Sequence, residues 1–236
     1  MSWRQNGSLW CLEPPQAQGL VQFIGGSYLA ATPQLSYRRL LESLGQLGLA
    51  VQAWSYVPGF DHQAQANEAW KLFRSSRPAS DQPVLRLGHS LGCKLHLLAP
   101  DNGRNGDGLV ALSFNNFSAE RSVPLLAELG PRLGIQSEFS PSPSETLRLV
   151  SCNYRQSRNL LVRFSRDGID QSQRLITLLQ ARSGDQSTLL ELPGDHLTPA
   201  SAGLRQTLLG RWADDPSRQR QIDNLAETIC RWWRPH

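Results

Sequence analysis

The chain has 236 residues, long enough for one domain, residues 1–236, with its own hydrophobic core. Hydrophobic residues make up 39% of it and charged residues 19%, which excludes a largely disordered chain and a collagen-like one. The net charge is +4 and the basic residues are dispersed, so we expect no nucleic-acid partner.

Short apolar runs alternate with segments of helical period. Strands are predicted at residues 19–24, 49–57, 83–87, 108–114, 159–164 and 188–192, with residues 9–12 as an antiparallel edge strand. Helices are predicted at residues 35–47, 65–73, 91–99, 172–181 and 223–233. This alternation predicts an α/β fold: a mostly parallel central sheet with helices on both faces.

Residues 118–157 separate the fourth and fifth predicted strands by more than one helix. Helical patterns at residues 123–129 and 145–150 flank a cluster of prolines and serines, Ser140 to Ser144. The segment is interpreted as a helical cap or lid inserted over the sheet edge. A plain pair of packing helices is the alternative interpretation.

The cysteines and the apolar runs indicate which cellular compartment to expect. No apolar stretch approaches the length of a membrane span, and the first residues lack the apolar core of a secretory signal. None of the four cysteines forms a C-x-x-C pair, so a metal site is not expected. We therefore expect a cytoplasmic protein with free thiols and no transmembrane segment.

The motif Gly88-His-Ser-Leu-Gly92 lies between a predicted strand and a predicted helix. In this setting G-x-S-x-G forms a nucleophile elbow, a tight turn that presents the serine at the carboxyl end of the strand. Glycines flank the serine because a β-carbon there would clash with the neighbouring strand and helix. Ser90 is therefore the candidate nucleophile.

A serine hydroxyl needs an adjacent base to become a good nucleophile. Of the five histidines, His196 follows the last predicted strand, which places it at the same sheet edge as Ser90. The carboxylate that orients the base is expected after the preceding strand, where Asp167 is the first candidate and Asp170 the alternative. The chain order serine, aspartate, histidine is that of α/β-hydrolases.

Two backbone amides are needed to bind an oxyanion. The amide of Leu91, directly after the nucleophile, is the first candidate, and Ser27 or Gly26, after the first central strand, supplies the second. Possible pocket residues are, in addition, His62, Asn115 and Asn116.

Long strings around these motifs resemble an uncharacterised family of cyanobacteria and plant plastids, domain of unknown function 1350, within the α/β-hydrolase superfamily. They are residues 23–38, 60–64, 88–98, 113–116, 141–148 and 194–199. The resemblance covers nearly the whole chain and implies the α/β-hydrolase fold, but it supplies no substrate. Two segments depart from the superfamily pattern: residues 165–170 around the acid and Ile24-Gly25 in the oxyanion loop.

The sequence thus predicts a serine hydrolase, esterase-like or thioesterase-like, that acts on a small-molecule ester or acyl substrate. Ser90 is expected to attack the acyl carbon, His196 to carry the proton and Asp167 to orient the imidazole. This chemistry requires no metal and no organic cofactor. The alternative hypothesis is a non-catalytic binding or scaffold protein that retains the fold.

Overall fold

The computed structural model describes residues 1–77, 82–119, 138–200 and 216–233. Within these residues the strands form one sheet. In chain order they are β1 (Arg4–Asn6), β2 (Leu9–Leu12), β3 (Gly19–Ile24), β4 (Leu49–Trp54), β5 (Val84–His89), β6 (Gly108–Leu112), β7 (Asn159–Phe164) and β8 (Thr188–Leu192). Their order in the sheet is β1-β2-β4-β3-β5-β6-β7-β8. The strands from β4 to β8 in this order are parallel, whereas β1 and β2 pair antiparallel.

Helices connect the parallel strands. They are α1 (Pro33–Ser36), α2 (Arg38–Gln46), α3 (His62–Ser75), α4 (Leu91–Leu97), α5 (Pro143–Asn153), α6 (Ser172–Gln180) and α7 (Pro216–Trp233). Among the described residues, no helix is both long enough and apolar enough to cross a membrane.

The central strands are buried on both faces, because each face carries its own layer of helices. In β6, Val110 and Leu112 join the core formed with α2 and α7, whereas Leu109 and Ala111 join the core formed with α4, α5 and α6. Burial on both sides explains why these strands are continuous apolar runs rather than alternating ones. The predicted mostly parallel sheet with helices on both faces is confirmed.

Two predictions about the sheet edge and the insertion need comment. The strand at residues 9–12 is antiparallel as predicted, but it is not the edge, because β1 pairs with its outer side. In the insertion, the helix predicted at residues 145–150 is part of α5. The helix predicted at residues 123–129 lies outside the described residues, so the cap or lid stays a prediction.

Candidate active site

Ser90 occupies the tight turn between β5 and α4. Its backbone has φ 54° and ψ −117°, a left-handed conformation that a side chain rarely adopts. A β-carbon at Gly92 would lie 2.0 Å from the carbonyl oxygen of Ile24, and one at Gly88 would lie 2.6 Å from the backbone nitrogen of Cys93. Both glycines are therefore required by close backbone contacts, and the turn has the geometry of an elbow.

A chain of hydrogen bonds joins three side chains that are distant in sequence. The Nδ1 atom of His196 lies 2.8 Å from Oδ2 of Asp167, and its Nε2 atom lies 3.1 Å from Oγ of Ser90. A carboxylate can only accept, so Nδ1 carries the proton and donates to Asp167. In the neutral ring, Nε2 then has a free lone pair that accepts the hydrogen bond of the Ser90 hydroxyl.

The Asp167 carboxylate is held in its charged form. Its side chain has 0% exposure, and burial by itself raises the pKa. The hydrogen bond from His196, the nearby Ser113 hydroxyl and the Ile169 amide act in the opposite direction and lower the pKa below its ordinary value. The carboxylate is therefore an anion that can stabilise a positive charge on His196.

Asp170 lies outside this chain of hydrogen bonds. It accepts from the Ser172 amide at 2.9 Å and from the Ser172 hydroxyl at 2.7 Å, so its side chain binds the first residue of α6. Burial raises its pKa. In this structure Asp167 contacts His196 and Asp170 contacts Ser172, which is not the arrangement of the alternative in which Asp170 orients His196 and Asp167 caps the helix.

The loop after β3 contains Gly26 and Ser27, the two candidates for the second oxyanion donor. The Gly26 amide donates to the Tyr37 hydroxyl at 2.8 Å, so it is not free to bind an oxyanion. The amides of Ser27 and Leu91 have no acceptor within the described parts of the chain, and both residues line the cavity beside Ser90. Of the two predicted donors in this loop, Ser27 is the one that remains.

Sequence reasoning missed Tyr37. Through His89, this residue links the loop after β3, which contains Gly26, to the loop after β8, which contains His196. Its hydroxyl lies 2.7 Å from Nδ1 of His89, and Nε2 of His89 lies 2.8 Å from the carbonyl oxygen of His196. That carbonyl can only accept, so Nε2 carries the proton and Nδ1 accepts from Tyr37. Burial and the nearby His196 lower the pKa of His89 to about 3, which keeps its ring neutral.

A cavity of about 250 Å³ opens beside Ser90. Apolar side chains form much of its wall: Leu29, Leu91, Phe117, Phe139, Ile169 and Leu197. The predicted pocket residues His62, Asn115 and Asn116 also line it, together with Lys94, which the sequence did not single out. The site therefore combines a serine–histidine hydrogen bond with an apolar cavity and a few polar groups.

The comparisons with known proteins agree with this architecture. No curated protein matches the chain by sequence. A family model described as "Protein of unknown function (DUF1350)" matches residues 2–235.

Several solved structures are similar in fold. The monoacylglycerol lipase of Paleococcus ferrophilus has a TM-score of 0.63 at 18% identity, with 99% of this chain and 98% of that chain covered. For the S-formylglutathione hydrolase of Staphylococcus aureus the TM-score is 0.60 at 14% identity, and the coverages are 99% and 97%. An α/β serine hydrolase without a lid, from Xanthomonas campestris, has a TM-score of 0.56 at 15% identity, with coverages of 97% and 89%. Identities this low establish likeness of fold alone.

Proposed function

Because the chain belongs to the DUF1350 family and has the α/β-hydrolase fold, we propose that it is a serine hydrolase of carboxylic esters or thioesters. Both the fold and the family agree with the expectation from the sequence. The observation that carries the proposal is the chain of hydrogen bonds from Asp167 through His196 to Ser90, at 2.8 and 3.1 Å. These distances are within the reach that nucleophile and base need for proton transfer.

In the proposed reaction, Oγ of Ser90 attacks the acyl carbon while Nε2 of His196 takes its proton. The amides of Ser27 and Leu91 stabilise the resulting oxyanion, each by about 2.7–4 kcal/mol in comparable sites. The imidazolium then gives its proton to the departing alcohol or thiol, which leaves an acyl group on Ser90. Water, deprotonated by His196, attacks that acyl group and releases the acid and the free serine.

Esters and thioesters are both kept as substrate classes. The same acyl-enzyme route serves both, because the bond broken is the one between the acyl carbon and the leaving heteroatom. Among the structural neighbours, the names of the monoacylglycerol lipase and the S-formylglutathione hydrolase refer to an oxygen ester and a thioester. The apolar wall of the cavity suits an acyl chain better than a strongly polar group.

A fluorophosphonate probe tests the proposal directly. The probe forms a covalent bond only with a serine that is activated as a nucleophile, so we expect one adduct on the folded protein. Peptide mass mapping should place it on Ser90, and p-nitrophenyl esters and thioesters should be hydrolysed by the same sample. A well-folded protein that takes up no probe and hydrolyses neither substrate would instead support the non-catalytic binding hypothesis.

The Tyr37 hydroxyl gives a first prediction about positioning. In Tyr37→Phe, the Gly26 amide and Nδ1 of His89 both lose their partner inside the protein. We expect the free energy of unfolding to fall by about 1–3 kcal/mol. Because the loop that carries Ser27 loses its anchor, kcat should also fall, roughly 10-fold. Urea unfolding and ester-hydrolysis kinetics measure the two effects.

A matched control exists at Tyr154, whose buried hydroxyl donates to Asn159 at 2.9 Å. Tyr154→Phe removes a comparable hydrogen bond but touches none of the site residues, so it should lower stability without lowering kcat. If Tyr37→Phe behaved in the same way, Tyr37 would be a structural residue only.

A further inference from the structure

The cavity beside Ser90 contains a buried positive charge. Lys94 lies about one helical turn after Ser90, on α4, and has only 1% exposure, yet it lines this cavity. Its Nζ atom donates to the Pro141 carbonyl at 3.1 Å and lies 5.7 Å from the centre of the Phe139 ring. These contacts fix the position of the ammonium group but do not neutralise its charge.

No carboxylate forms an ion pair with Lys94 in the described parts of the chain. Glu138 is the acidic residue whose charge acts on it, without forming an ion pair, and Oε1 of Glu138 accepts from the amides of Ala119 and Phe139. A buried charge without an ion-pair partner is costly. Burial lowers the pKa of Lys94 to about 8, and Glu138 acts in the opposite direction, so the group is still mostly protonated at neutral pH.

Two further polar side chains of the cavity have unused hydrogen-bonding atoms. His62 is 2% exposed and Asn116 is 5% exposed. Neither Nδ1 of His62 nor Oδ1 of Asn116 has a partner among the described residues, although Nδ2 of Asn116 donates to Pro143. Burial, helped by the charge of Lys94, lowers the pKa of His62 to about 3, so its ring is neutral. Nδ1 of His62 can donate to a ligand in the tautomer that carries its proton there, whereas Oδ1 of Asn116 can only accept and so cannot bind a carboxylate.

We propose that the substrate carries a carboxylate, separate from the scissile ester or thioester, and that Lys94 binds it inside the cavity. This inference rests on the proposed hydrolase function. A carboxylate balances the single charge of the Lys94 ammonium group, whereas a doubly charged phosphate would leave one negative charge uncompensated in the cavity. The apolar wall then accommodates the hydrocarbon chain between the substrate's carboxylate and its scissile ester or thioester. A monoester of a dicarboxylic acid is therefore the substrate class that fits.

The test compares two esters of equal chain length, the p-nitrophenyl monoester of adipic acid and p-nitrophenyl hexanoate. In the wild-type protein, kcat/KM should favour the carboxylate ester by about 10-fold or more. Lys94→Gln keeps a donor for Pro141 but removes the charge, and the ratio should fall to about one. Lys94→Arg keeps the charge and should retain a preference for the carboxylate ester.

The other lysine of the chain provides the matched control. Lys71 lies exposed on α3, away from the cavity, so Lys71→Gln should leave the ratio at its wild-type value. A wild-type ratio near one would overturn the proposal. So would a preference that survives in a folded Lys94→Gln protein, since Lys94 would then serve only to anchor Pro141.

A binding measurement separates this inference from the hydrolase proposal. In Ser90→Ala protein, calorimetry should find monomethyl adipate bound about 10-fold or more tightly than methyl hexanoate, and Ser90→Ala/Lys94→Gln should lose that difference. Discrimination in binding without any hydrolysis by wild type would refute the hydrolase and leave the carboxylate site. Hydrolysis of both esters without discrimination would refute the carboxylate site alone.

Discussion

Ser90→Ala is expected to lower kcat for ester hydrolysis by roughly 10⁶-fold, the loss that removal of the nucleophile causes in comparable serine enzymes. Without Oγ no acyl-enzyme can form, and His196 has no proton to take at the position 3.1 Å from Nε2. The oxyanion amides and the cavity remain, so a weak residual rate above that in water should persist. Steady-state kinetics on p-nitrophenyl hexanoate measures the loss.

Stability provides the control for this variant. The Ser90 side chain has its hydrogen bond to His196 in a partly exposed position, so Ser90→Ala should change the free energy of unfolding by less than about 1 kcal/mol. Ser75, exposed near the end of α3, is a matched serine away from the site, and Ser75→Ala should retain full activity. A Ser90→Ala protein that kept most of its activity would refute the proposed nucleophile.

Removing both Ser90 and His196 should cost no more than removing Ser90 alone. The two side chains act as a unit, since the base has no function without the proton of the nucleophile. Activity losses that multiply in Ser90→Ala/His196→Ala would mean that the two residues act independently, contrary to the proposed mechanism.

The strands were the part of the fold most accessible to prediction. The strands at residues 19–24, 159–164 and 188–192 have the predicted bounds. The strand predicted at residues 49–57 ends earlier, at Trp54, since the amides of Ser55 and Tyr56 donate to the loop residues Ser8 and Ala30. Apolar composition alone could not reveal that change of partner.

The helix predicted at residues 35–47 is two helices in the structure, α1 and α2. The break between them lies at Tyr37, which also contacts residues of the candidate site. Tyr37 has φ −122° and ψ 20°, which interrupts the helical backbone between α1 and α2. Its side chain is fully buried and its hydroxyl bonds both Gly26 and His89. Long-range contacts of this kind override local periodicity, and they are not visible in sequence spacing.

The sequence was sufficient to predict which loops form the candidate site, but not which residues of each loop contact one another. The elbow motif and the position after the last strand placed Ser90 and His196 at one sheet edge. The choices between Asp167 and Asp170, and between Ser27 and Gly26, depend on turn geometry within a few residues. Lys94 was missed because a lysine on a helix is ordinarily exposed, whereas this one is buried and contacts Phe139 and Pro141, which are distant in sequence.

Asp167→Asn is expected to lower kcat by about 10⁴-fold, as the equivalent change does in well-studied serine proteases. The carboxylate accepts from Nδ1 of His196 at 2.8 Å and thereby fixes the tautomer whose Nε2 faces Ser90. An asparagine carries no charge and can donate to Nδ1 instead, which favours the tautomer with the proton on Nε2. That tautomer cannot take the serine proton, and the imidazolium also loses its counter-charge.

Asp170→Asn is the matched control, three residues further along the same loop. Asp170 accepts from the amide of Ser172, and an asparagine Oδ1 can accept the same hydrogen bond, so stability should fall by less than about 1 kcal/mol. We expect activity within a few-fold of wild type, measured by ester hydrolysis at neutral pH with circular dichroism to verify folding. Equal losses in both variants, or a larger loss in Asp170→Asn, would transfer the orienting role away from Asp167. The comparison is decisive because the two aspartates lie three residues apart in one loop but, of the two, only Asp167 contacts the imidazole.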